Sequence, residues 1–126
     1  MIIVGIAIAT IASFIASAAL YAIPPVSALV SGASTPRAGL SRAIQMISVL
    51  LRSLIASCLV AGLMTAAHWQ GVGAGALLGL SLTALPLILL MGGVVHENTA
   101  VPVAGVHLLD WAIKLTLIGI IIGIFR

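Results

Sequence analysis

Four long apolar runs, separated by short stretches of polar and turn-forming residues, make up nearly the whole chain. A helix that crosses a bilayer needs about 20 mostly apolar residues, and each run supplies that length. The first extends over 2–23 and is closed by Pro24-Pro25, which lack the N–H groups that would carry a helix onward. A loop rich in breakers follows, Ser31-Gly32-Ala33-Ser34-Thr35-Pro36-Arg37. The second run covers 43–68 and ends at Trp69-Gln70-Gly71, a short turn whose tryptophan suits the membrane interface. The third covers 74–95, with Pro86 expected to kink it and to free a carbonyl one turn earlier. A loop from His96 to Ala104 leads to the fourth run, 105–125. None of these runs alternates polar and apolar residues over about ten positions, as a barrel strand would. In lipid, helices and closed barrels alone satisfy their own backbone. The expected fold is therefore all-α, a single transmembrane four-helix bundle over residues 1–126.

Composition agrees. The chain is 63% hydrophobic and 6% charged, whereas soluble domains carry about 25% charged residues. Lipid is the expected solvent. The net charge of +3 is scattered, with no basic run interleaved with aromatics, so nucleic acid is not an expected partner. Cys58, the one cysteine, lies inside an apolar run and is expected to be a small buried residue. Ala16-Ser17-Ala18 looks like a signal cleavage site. No Lys or Arg precedes the first run, however, and that run is too long for a signal core, so a retained span is expected.

Basic residues in short loops set orientation. Arg37 and Arg42 lie in the first loop, against the N-terminal amine and Arg126 on the other side. Loops one and three are therefore expected in the cytoplasm of a bacterial cell, with both termini outside the inner membrane.

Small residues recur four apart on every span: Gly5, Ala9, Ser13 and Ser17; Ser53, Ser57, Ala61 and Thr65; Gly71, Gly75, Gly79 and Thr83; Gly119 and Gly123. Such spacing lines one helix face and makes a shallow groove for close packing. A unit this small is expected to use some of these grooves in a homo-oligomer, or in docking to a larger membrane complex.

Three ionisable residues fall inside spans: Arg52, Asp110 and Lys114. Measured from Arg42, Arg52 lies ~15 Å deep at 1.5 Å per residue; measured from Gly105, Asp110 lies ~7.5 Å and Lys114 ~13 Å deep. Asp110 and Lys114 have the favourable acid-first i,i+4 order, and His107 lies one turn before. His96 and Glu97 stand in the loop that feeds this helix. Two readings remain open. One is a charge triad that fixes helix neighbours, with Arg52 and Lys114 snorkelling to the headgroups. The other is a polar cavity that holds an anion or relays a proton. The cluster sums to one positive charge, which favours an anion.

Other chemistry is sparse. His68, His96 and His107 lack metal-ligand spacing and are expected at opposite faces, so no cofactor is expected. There is no Gly-rich phosphate loop, and no Ser or Cys has a base beside it in sequence, so nothing argues for an enzyme. Span one carries no ionisable side chain, unlike the small multidrug exporters, and the Gly-rich and Thr/Phe-rich motifs of small fluoride channels are absent.

The Gly-Ala-Leu-Leu-Gly-Leu run from Gly75 to Leu80, Glu97-Asn98 in the third loop, the amphiphilic start and Ile/Gly-rich end of span four, and Ala18-Ala19-Leu20-Tyr21 closing span one resemble a bacterial family of small four-span proteins, domain of unknown function 1761. The resemblance implies four helices with loops one and three cytoplasmic, and no assigned activity. The expected function is a small homo-oligomeric channel or transporter for a small anionic solute. The alternative is a non-transporting accessory subunit of a larger membrane complex.

Overall fold

The computed structural model describes all residues from Met1 to Arg126. It is all-helical. Six helices follow in order: α1 (Ile2–Ala22), α2 (Pro24–Ala33), α3 (Arg42–Ala66), α4 (Gly71–Leu82), α5 (Ala84–His96) and α6 (Val101–Ile124). Taken end to end, α4 and α5 form one span, so four segments are long and apolar enough to cross a bilayer. The chain is a multi-pass membrane protein, and its wide apolar surface faces lipid.

The helix ends depart from the sequence reading in physically readable ways. Pro24-Pro25 ends α1 but also starts a further helix, α2, where a loop was expected. Proline suits the first helical turn, where its missing N–H would be unpaired anyway. The third span starts at Gly71, three residues early, and is interrupted at Thr83, in the turn whose Leu82 carbonyl finds no N–H on Pro86, as the proline led one to expect. The fourth starts at Val101, four residues early, with Pro102 in its first turn. The second stops at Ala66 because His68 turns to a left-handed backbone, φ 56°.

Helix α6 is the most buried span and the third the least. It contacts α1, α3, α4 and α5, and so forms the axis of the bundle. Its closest approach is to α4. A Cβ built on Gly75 would overlap the carbonyl oxygen of Gly119; one on Gly79 would overlap that of Leu115; one on Gly123 would overlap that of Gly71. These pairs run in opposite directions along the two helices, so α4 and α6 are antiparallel and touch backbone to backbone. Van der Waals contact of this kind is what holds helices together in lipid.

The remaining small residues also point inward. Gly5, Ala9, Ser13 and Ser17 of α1 and Ser53, Ser57 and Ala61 of α3 are buried, while Thr65 is exposed. Thr10, Ser13 and Ser57 bond to carbonyls of their own helices, so their hydroxyls need no partner across the interface. Apart from Thr65, the stripes of α1 and α3 are packed within one chain. Cys58 corrects another expectation: it is exposed on the lipid-facing side of α3, one residue past the buried stripe.

Ala9, Val60, Ala61, Met64, Ile118 and Ile122 pack into a closed apolar core. All lie toward the ends of the bundle that carry the chain termini. The other half, where α1 ends and α3 and α6 begin, is built differently.

Candidate functional site

A cleft of about 460 Å³ opens in that second half, between α1, α3 and α6. Three helical stripes line it. Helix α1 contributes Ser17 and Tyr21, one turn apart. Helix α3 contributes Arg42, Met46, Val49 and Arg52, and α6 contributes His107, Asp110, Trp111 and Lys114. The spacings of three and four residues put each set on one face of its helix.

The cleft is joined across α1 and α6 by two short hydrogen bonds. Ser17 Oγ donates to Asp110 Oδ1 at 2.7 Å. Tyr21 Oη and His107 Nδ1 lie 2.7 Å apart, with their rings tilted at 44° and 5.9 Å between centroids. Asp110 Oδ2 faces Lys114 Nζ at 3.6 Å in an ion pair along α6. Lys114 also lies 5.0 Å from the centre of the Trp111 ring, within cation–π range. Asp110 is 7% exposed and Lys114 2%, so the pair is removed from both water and lipid.

Arg52 stands apart. It lines the same cleft but is exposed and makes no ion pair with Asp110. The expected triad is therefore a pair plus a free guanidinium. Arg52 lines the cleft without coming within ion-pair distance of the carboxylate, which is contacted by Ser17 and Lys114. Counted from the true helix starts, Arg52 lies ~15 Å along α3 and Asp110 ~13.5 Å along α6 at 1.5 Å per residue, so they share a level without touching. His96 and Glu97 are exposed at the end of α5 and do not line the cleft.

Ser17 and Tyr21 belong to the polar cluster, although nothing in the local sequence places them there. Their i,i+4 spacing at the end of span one was visible, but what they faced was not. Arg42, a loop charge by its place in the sequence, lines the cleft as well. With it, the cleft holds three fixed cations, Arg42, Arg52 and Lys114, against one carboxylate, Asp110. Such a lining attracts an anion and offers two guanidinium groups free to grip it. Guanidinium forks match carboxylate and phosphate oxygens in pairs. The closed core around Met64, Ile118 and Ile122 stops the cleft from passing through the bundle.

Comparison with curated proteins gives no match, and comparison with solved structures gives none. The family model described as protein of unknown function (DUF1761) matches residues 4–123, nearly the whole chain. On that match the chain belongs to the DUF1761 family of proteins of unknown function.

Proposed function

We propose that the protein is a small transporter that binds an anionic solute in the cleft and opens that cleft to the cytoplasm. The observation that carries this reading is the lining itself: three cations against one carboxylate, part-way into a membrane-spanning bundle. Intramembrane charges are costly and commonly mark a solute path. Because the far half is packed with apolar side chains, a carrier that exposes its site to one side at a time fits better than an open channel. One chain builds the whole cleft, so a homo-oligomer is not needed to complete it.

Purified protein in liposomes should exchange a small anion such as inorganic phosphate or chloride. Arg52→Ala should abolish that flux while the protein keeps its size and helix content. A protein that passes no anion across a panel would remove the transport reading.

Sidedness is part of the proposal. Arg37 and Arg42 favour the cleft side of a bacterial inner membrane as cytoplasmic. In a Cys58→Ser background, Ser34→Cys and Asn98→Cys should react with thiol reagents from the cytoplasm only, and Gly71→Cys from outside only. Labelling of Ser34→Cys and Asn98→Cys from opposite faces would end this topology.

A second reading, an accessory subunit, draws on the third span. Helix α5 has no buried residue, and Leu85, Ile88, Leu89 and Val95 are exposed on it. That face has room for a larger membrane partner or a second copy. A partner that co-purifies with the protein and cross-links to α5, together with no anion flux, would favour it.

A further inference from the structure

The polar cleft does not end in a wall of protein on its α5 side. An apolar groove of about 330 Å³ begins where the cleft stops, and Arg52 and Trp111 line both. Three stripes at helical spacing form the groove: Ile55, Ala56 and Leu59 on α3, Leu82, Leu85, Pro86 and Leu89 along α4 and α5, and Trp111 with Leu115 on α6. Arg52 is its one charged residue.

The backbone explains the gap. Helix α4 has neighbours in both α3 and α6, but beyond the break at Thr83 helix α5 stays beside α6 and loses α3. Between α3 and α5 the protein leaves a hydrocarbon-lined slot open along the span, with a guanidinium at its head. Water is a poor guest in such a slot, since apolar cavities stay dry. A small soluble anion would use the cleft and leave the slot idle. An acyl chain gains little selectivity from the slot alone, because lipid tails are as apolar as leucine. What distinguishes the place is the junction, where an apolar slot meets a cationic cleft.

We infer that the site takes an anionic phospholipid, its headgroup between Arg42 and Arg52 and one acyl chain in the groove between α3 and α5. The inference rests on the anion-binding reading of the cleft and adds the chain. On α3, Arg42, Met46, Val49 and Arg52 form one stripe. A headgroup drawn in from the interface at Arg42 therefore travels along a single face to Arg52, while its tail enters sideways past Trp111.

Trp111 borders both spaces, and Trp69, at the far turn, is the other tryptophan. In a Trp69→Phe background, Trp111 fluorescence reports on bromine carried by a neighbouring acyl chain. The protein is reconstituted in phosphatidylcholine vesicles doped with either chain-brominated phosphatidylglycerol or chain-brominated phosphatidylcholine. The anionic lipid should quench at a lower mole fraction, by roughly five-fold for each basic residue that engages it, the preference one such residue confers near a membrane surface. Arg52→Gln should remove Arg52's share of that advantage and leave quenching by phosphatidylcholine unchanged. The double variant Leu85→Phe with Leu89→Phe, at two exposed positions that line the groove, should weaken quenching by the anionic lipid without touching the charges.

Equal quenching by the two lipids overturns the inference. So does an anionic preference that Arg52→Gln leaves intact, because that would be general surface attraction. Inorganic phosphate flux measured in the same phosphatidylcholine vesicles separates the two readings. Flux that depends on Arg52 with no lipid preference leaves the anion site standing and removes the lipid. An Arg52-dependent lipid preference without flux supports the lipid site and removes solute transport.

Discussion

Gly75→Ala is expected to destabilise the protein strongly, while Gly73→Ala two residues away stabilises it slightly. The same added methyl group has opposite effects because of what it meets. A Cβ on Gly75 would overlap the carbonyl oxygen of Gly119, and a backbone carbonyl cannot swing aside as a side chain can. Helices α4 and α6 would have to separate along their closest contact. Overpacking a core costs typically 1–3 kcal/mol and occasionally more, and a backbone obstacle belongs at or above the top of that range. At Gly73 a Cβ meets nothing within 4 Å, as at Gly62 in α3. There alanine simply replaces glycine in a helix, a gain of roughly 0.5–1 kcal/mol in propensity. Unfolding followed against the mole fraction of a denaturing detergent in mixed micelles reads both variants. Gly75→Ala unfolding at the same point as Gly73→Ala would contradict the α4–α6 contact.

Asp110→Asn is expected to cost at least as much for an electrostatic reason. Asparagine keeps the shape and an oxygen that can accept from Ser17, so the α1–α6 hydrogen bond survives. The charge facing Lys114 does not. Lys114, 2% exposed, would be left with the Trp111 ring as its remaining favourable neighbour. Breaking a buried ion pair from one side costs about 3–5 kcal/mol. Replacing both members with apolar residues is often neutral, so Asp110→Asn combined with Lys114→Met should recover most of the loss. The three proteins can be compared in the same detergent titration. A double variant no more stable than Asp110→Asn alone would mean that the ammonium of Lys114 is not the source of the cost.

The two variants act in different halves of the bundle and have different meanings. Gly75 belongs to the part that holds α4 on α6. Asp110 belongs to the cleft, where it holds Lys114 in place and ties α6 to α1 through Ser17. A site that binds anions benefits from this arrangement, because one cation is neutralised and fixed while Arg42 and Arg52 remain free.

The number and type of the long elements were legible in the chain because the bilayer imposes them: a run of about 20 apolar residues has few options except a spanning helix. The i,i+4 spacing likewise put Asp110 and Lys114 on one helix face whatever the helix packed against. Helix α2 was not legible, because a Pro-Pro pair stops one helix and starts another with the same chemistry, and only the backbone that follows distinguishes them. The interruption at Thr83 was legible from Pro86, which has no N–H for the carbonyl of Leu82 one turn earlier. Which glycine meets which carbonyl is a matter of register between α4 and α6, and no local pattern encodes a register between helices 40 residues apart. The same holds for the bond from Ser17 to Asp110, partners 93 residues apart, and for Arg52 lining the cleft without joining the pair. Local sequence determined the spans and the charges each carries. Tertiary packing alone decided which charges meet, because the distance between side chains on different helices is set by how the helices pack.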